Sequence, residues 1–162
     1  APDRVELIQV ISAQDMHEAV QARIALTDVF IGVAAVADYR PKLVQPHKIK
    51  KDQNGQRALT LELVENPDVI AEVTQRADKP FTIGFAAETE QIEAYARKKL
   101  IDKKLDMIVA NNVGNTDIGF NSDVNAITVY FEDRAIDLPK MSKRALSEQL
   151  VELISQQLIE AL

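Results

Sequence analysis

Val29-Phe30-Ile31-Gly32-Val33-Ala34-Ala35-Val36-Ala37-Asp38-Tyr39-Arg40-Pro41 is the stretch that decides the fold. Val29–Val36 is nearly all apolar, the pattern of a central strand buried on both faces of a parallel sheet. The run then breaks into an acid, an aromatic and a base, with Lys48-Ile49-Lys50-Lys51 a few residues on. Ligands of open α/β sheets bind at the carboxyl ends of strands, and small residues there let a ligand approach the backbone. The pattern therefore points to a site for an anionic small molecule, a nucleotide by preference.

Working outward, the chain alternates strands and helices. Val5–Val10 reads as a strand, and Ser12 with Asp15 reads as a helix cap, the helix running to about Leu26. Asn54-Gly55 is a turn ahead of a strand over Ala58–Val64, whose leucines alternate with polar residues. Asn66-Pro67-Asp68 opens a helix ending near Arg76, with Asn66 as cap and Pro67 in the first turn. Phe81–Phe85 is the next strand, followed by a helix over about Glu90–Lys104 capped by Thr89. Asp106–Ala110 is a buried strand and Asn111–Asn115 a loop. Ala126–Phe131 and Ala135–Leu138 flank Glu132-Asp133-Arg134 as an antiparallel edge hairpin. A last helix begins at Ser142 or Ser147 and runs to about Leu158. These elements predict an α/β three-layer sandwich, a mainly parallel sheet with an antiparallel edge hairpin, in a single domain over residues 1–162.

Composition narrows the chemistry. The 162 residues contain no cysteine, which removes disulfides and thiolate catalysis, and no apolar run is long enough to cross a bilayer. A cytoplasmic location is expected. A net charge of −6 argues against broad nucleic-acid binding. The cations nevertheless cluster, in Lys42, His47, Lys48, Lys50 and Lys51, and again in Lys98, Lys99, Lys103 and Lys104. Such clusters in an acidic protein suit a small polyanion.

Each candidate has a bland counterpart. Lys48–Lys51 either closes over phosphates or is a solvated loop, the commoner meaning of a charge run. Lys99 and Lys103 share a helix face that either meets a phosphate chain or faces solvent. The helix start at Asn66-Pro67 suits an anion, although Pro67 has no N–H and Asp68 repels phosphate, so a base or ribose fits equally. Asp38 either meets a ligand or caps its loop, and Phe85 either stacks on a base or belongs to the core. Asn121-Ser122-Asp123-Val124-Asn125 lacks the glycine and glutamate of a calcium loop and reads as Asx turns. His17 and His47 have no metal-pair spacing, and neither Gly-x-Gly-x-x-Gly nor Gly-Lys-Ser/Thr occurs.

Taken together, Ala34–Arg40, Lys48–Lys51, Asn66-Pro67-Asp68, Gly84-Phe85-Ala86-Ala87-Glu88-Thr89, Lys104-Leu105-Asp106 with Ala110-Asn111-Asn112, and Gly119–Asp123 with Asn125 resemble the phosphopantothenoylcysteine synthetase domain of the bacterial bifunctional coenzyme A biosynthesis flavoprotein. The resemblance implies a Rossmann-like homodimer and a CTP-dependent ligase. CTP activates 4'-phosphopantothenate as an acyl-cytidylate, and cysteine then displaces CMP. Magnesium accompanies the nucleotide, and FMN belongs only to a fused decarboxylase half. Residue by residue, the implied CTP contacts are Gly32, Val33, Ala34, Asp38, Lys48, Pro67, Asp68, Val69, Ile70, Phe85, Lys99 and Lys103, with Lys48 the catalytic candidate and the metal ligands unassigned. The family's first β-α unit and its Ser-Ser-Gly-Lys-Met-Gly segment, with a catalytic asparagine, have no match here. The chain is thus expected to show little synthetase activity by itself. A non-catalytic nucleotide-binding or dimerisation module and a Rossmann-type oxidoreductase domain are the competing readings.

Overall fold

The computed structural model describes residues 3–50, 59–112 and 122–160. The chain divides into two compact units, Ala1–Val20 with Ala35–Val69 and Gln21–Ala34 with Ile70–Leu162.

The larger unit is built on a five-stranded sheet. Its strands are β1 (Val29–Gly32), β4 (Phe81–Glu88), β5 (Met107–Asn112), β6 (Val124–Tyr130) and β7 (Ala135–Ser142), in the order β1-β4-β5-β6-β7. The pairs β1–β4 and β4–β5 are parallel, while β5–β6 and β6–β7 are antiparallel. Helices cover both faces, giving the expected three layers. The period of two along β5 makes this visible. Met107 and Val109 join Ile83, Ile127, Val129, Leu146 and Ile154 on the face covered by α4 (Lys143–Glu160). Ile108 and Ala110 join Ala86, Tyr130, Ala96 and Leu100 on the face covered by α3 (Ile92–Asp102). All four β5 residues are at most 1% exposed, so this strand is buried on both sides. Burial also pushes the Tyr130 hydroxyl above its ordinary pKa, helped by the charge of Glu93, while the Arg97 guanidinium lies 5.1 Å from its ring centre.

The smaller unit holds most of α1 (Ala13–Gln21) and the antiparallel pair β2 (Tyr39–Pro41) and β3 (Leu63–Glu65). The Ser12 cap is present in reciprocal form. The Asp15 N–H donates to Ser12 Oγ at 3.1 Å, and the Ser12 N–H donates to Asp15 Oδ2 at 3.0 Å. The Ser12 N–H, with the Ser12 hydroxyl and the Ile11 N–H, holds the Asp15 carboxyl below its usual pKa. Ser142 is the cap of the last helix, accepting the Ala145 N–H at 3.2 Å.

Several expectations need correction. Val5–Val10 is not a strand: among the described residues it joins no ladder, and Val5 and Leu7 are exposed. Val29–Val36 is not a buried central strand. The ladder stops at Gly32, β1 lies at the sheet edge with β4 as its neighbour among the described residues, and Ile31 and Val33 are exposed. An apolar run therefore misled by imitating a strand with neighbours on both sides. In the predicted 58–64 strand, only Leu63 and Val64 lie in the observed β3, and Leu59, Leu61 and Leu63 face solvent. The first helix stops at Gln21, and a 3-10 turn over Ile24–Leu26 buries Ile24. Asn66 does not cap the next helix, α2, which is the short segment Val69–Thr74. Thr89 does not cap α3 either. That place belongs to Gln91, in a left-handed conformation (φ 48°) with no side-chain cap bond. The β4 strand runs past Phe85 to Glu88 because β5 pairs with it up to Asn112, so Asn111-Asn112 is strand, not loop. Asn54-Gly55, Val113–Asn115 and Gly119–Asn121 lie outside the described residues, while the Ser122 Oγ–Val124 N–H turn (3.3 Å) is present.

The amino ends of β4 and β5 are tied by one carboxylate. Asp106 Oδ2 accepts the N–H of Thr82 at 2.7 Å, and both oxygens accept from Lys79 Nζ at 2.7 Å. Thr82 is fully buried, and its carbonyl in turn accepts the Asp106 N–H at 3.0 Å. Asp106→Ala leaves a buried N–H without its acceptor and should cost about 2 kcal/mol in urea unfolding. Asp106→Asn should cost less, because the amide oxygen still accepts from Thr82.

Candidate functional site

The site begins where β1 leaves the sheet. Gly32 is paired in parallel with Gly84, and beyond that point, among the described residues, Phe85–Glu88 pair with β5 alone. Val33 and Ala34 thus leave the ladder beside the carboxyl half of β4, the end of an α/β sheet at which ligands bind.

The two glycines are there for packing. A Cβ on Gly32 would lie 2.6 Å from Ile70 Cδ1 and 2.9 Å from its Cγ1. One on Gly84 would lie 2.7 Å from Leu105 Cδ1. The space a Gly32 side chain would need is thus taken by Ile70. Phe85 is partly buried and packs against the α4-side core.

Lys99 projects from α3, and its ammonium donates to Glu88 Oε1 at 2.7 Å. The Glu88 side chain is only 19% exposed and that of Lys99 47%, so the acid is the more buried partner. Neighbouring charges on α3 are engaged elsewhere, Arg97 with Glu93 at 2.8 Å and Lys98 with Asp102. Lys103 is the residue just past the helix, its N–H on the Lys99 carbonyl at 3.0 Å. The backbone after it leads to Asp106, whose N–H reaches the amino end of β4 at Thr82. Lys99 and Lys103 are thus one turn apart, and Lys99 is tied to the carboxyl end of β4.

In the smaller unit, Asp38 sits just before β2 and not at the end of β1 as expected. Asn66 gathers this neighbourhood. Its N–H donates to the Asp38 carbonyl at 2.8 Å, its Nδ2 to the Ala37 carbonyl at 2.8 Å, and its Oδ1 accepts from Arg40 Nη1 at 3.1 Å. Arg40 Nη1 also donates to the Glu65 carbonyl. Pro67 and Asp68, which follow Asn66, are thereby tethered to Asp38. Lys48 is exposed in the same unit, and among the described residues no bond draws it to Asp38. The helix that follows Pro67 and Asp68, α2, has six residues.

Glu88 belongs to the Gly84–Thr89 segment but is not among the candidate contacts read from the sequence. Eleven residues separate it from Lys99 across a strand end, a loop and a helix, and that spacing has no local periodicity to betray it. The acid at the end of a strand of small residues was the one available signal.

Comparison with known proteins gives the family and the fold. Residues 1–158 match the family of the DNA/pantothenate metabolism flavoprotein C-terminal domain. Three relatives, each a coenzyme A biosynthesis bifunctional protein CoaBC, come from Vibrio parahaemolyticus, Escherichia coli K12 and Bacillus subtilis. They are 49%, 44% and 44% identical over 93%, 94% and 93% of this chain, and the matches cover 38%, 38% and 36% of the relatives. The chain thus spans well under half the length of these relatives. A crystal structure of the C-terminal domain of a CoaBC protein matches with a TM-score of 0.77 and 38% identity, over 98% of this chain and 71% of that one. A Streptococcus pneumoniae flavoprotein of the same TM-score, 0.77, is only 21% identical and attests to the fold alone.

The Gly32–Ile70 contact yields a test. Gly32→Ala should destabilise by about 1–2 kcal/mol through overpacking. Combined with Ile70→Ala, the loss should fall short of the sum of the single losses, measured as a double-mutant cycle in urea. On the family match, the identity over nine-tenths of the chain and the shared fold, this chain belongs to the family of DNA/pantothenate metabolism flavoprotein C-terminal domains.

Proposed function

We propose that this chain is the phosphopantothenate–cysteine ligase domain of coenzyme A biosynthesis, using CTP. The observation that carries the reading is a cation fixed at the carboxyl end of a strand: Lys99, held by Glu88 where β4 runs beyond β1. The names of the relatives, and the positions that resemble the synthetase motifs, support it.

In the proposed reaction a carboxylate oxygen of 4'-phosphopantothenate attacks the α-phosphorus of CTP. The α–β phosphoanhydride breaks, leaving an acyl-cytidylate and pyrophosphate. The cysteine amine then attacks the acyl carbon, the acyl–phosphate bond breaks, CMP leaves, and the amine loses a proton as the amide forms. No protein nucleophile is required. The chain must instead offset the charge of the leaving phosphates and align the two substrates. Lys99 and Lys103 from the larger unit are assigned to phosphate, with Lys48 as the catalytic candidate. Gly32, Val33, Ala34, Ile70 and Phe85 of the larger unit are assigned to the nucleotide on the resemblance of these positions to the synthetase motifs. Among the described residues no group of three or more His, Asp or Glu could cage a metal ion. Magnesium in this scheme arrives on the triphosphate, its common mode of binding, with water completing its shell.

A cytoplasmic homodimer is part of the proposal. Tyr39, Leu43, Val44, Leu59, Leu61 and Leu63 are exposed apolar side chains of the smaller unit that a second copy would cover. No helix among the described residues is long and apolar enough to cross a membrane.

Calorimetric titration with CTP and magnesium tests the reading, with ATP and NAD as comparators. Selective CTP binding, weakened about tenfold in Lys99→Ala by loss of one charge-assisted phosphate contact, is expected. Preference for NAD, or CTP binding indifferent to Lys99, would overturn it.

A further inference from the structure

We propose that Glu88 is a positioning residue for Lys99, fixing its ammonium at the carboxyl end of β4 so that the remaining N–H groups meet a phosphate oxygen. This rests on the nucleotide reading above and names how that site is held ready.

Three observations carry it. First, the ammonium is 2.7 Å from Glu88 Oε1, a charge-assisted bond at close range. Second, exposure is unequal, 19% for Glu88 against 47% for Lys99. A mostly buried carboxylate keeps a partner because an unpaired one is costly, so the acid is the fixed member and the base the adjustable one. An ammonium has three donors, and one bond to Glu88 leaves others on its exposed side. Third, Glu88 is the last residue of β4 and is paired in the ladder opposite Asn112, so its backbone is set by the sheet. The α3 surface alone provides no such anchor. The pairs Arg97–Glu93 and Lys98–Asp102 are local contacts between residues four apart on one helix, whereas Lys99 reaches off the helix to a strand. A free lysine side chain has many rotamers to lose on meeting a ligand, and a lysine already bonded has fewer.

A rival role has the opposite sign. If Glu88 merely competed with phosphate for Lys99, removing the acid would strengthen anion binding. Positioning predicts that Glu88→Ala weakens CTP–magnesium binding, by about threefold to tenfold, as the lysine must be ordered anew. Glu88→Gln, which keeps the length and an acceptor oxygen, should restore most of the affinity. In a Lys99→Ala background, Glu88→Ala should have no further effect.

Calorimetry on the four variants decides the sign and the coupling. Tighter binding by Glu88→Ala, or an equal loss with and without Lys99, would overturn the proposal, the second by showing a purely structural role. Lysine acylation read by mass spectrometry supplies a test independent of the nucleotide. Lys99 should react more slowly in the parent than in Glu88→Ala, with Lys140 as an internal reference. Equal reactivity would overturn the hold of Glu88 on Lys99. Should the parent bind no CTP at all, the nucleotide reading falls and the phosphate role with it, while the acylation result still decides whether Glu88 holds Lys99.

Discussion

The parallel pairing of β4 with β5 is the constraint on which the rest depends. It brings together strands separated by a whole helix, and it is buried on both faces, with Met107 and Val109 turned one way and Ile108 and Ala110 the other. Such a ladder needs a cover on each side, and α3 and α4 are those covers. Its amino end is tied by Asp106 through Thr82 and Lys79, and its carboxyl end carries Glu88. The register that stacks the core therefore also decides where the cation of the candidate site stands.

Packing and chemistry share the same residues. Gly32 and Gly84 face each other across the β1–β4 ladder, and each yields its Cβ space to a branched side chain, Ile70 or Leu105. That close approach seats α2 and the α3–β5 turn on the sheet. β1 ends at Gly32 while β4 goes on to Glu88, at the end of the sheet where ligands of α/β proteins bind. In the smaller unit Asn66 does comparable work with hydrogen bonds in place of apolar contact, tying Pro67 and Asp68 to the backbone of Ala37 and Asp38.

Much of this was legible in the residues. The Ser12–Asp15 reciprocal cap, the hairpin turn at Glu132–Arg134 and the apolar stripe of α4 are local patterns, and local patterns survive into the structure. What was not legible depends on neighbours far along the chain. Val29–Val36 has the composition of a buried central strand, but its burial is decided by pairing, and pairing stops at Gly32. Asn66 precedes Pro67 in the manner of a cap, yet its side chain is taken by Ala37 and Arg40 from the other side of the hairpin. Gln91 starts α3 in a left-handed conformation that no propensity favours. Among candidate site residues, Lys99 stands out in the sequence and its partner Glu88 does not, because only the fold brings the two within hydrogen-bond reach.

Amide hydrogen exchange with and without CTP–magnesium is the most direct test of the central claim, that the ligand end of this protein is the carboxyl edge of β1 and β4. Protection should appear at Val33–Ala34 and across Phe85–Glu88, with the Glu132–Arg134 turn unchanged. Protection confined to the β6–β7 hairpin, or binding that leaves Phe85–Glu88 unaltered, would contradict it.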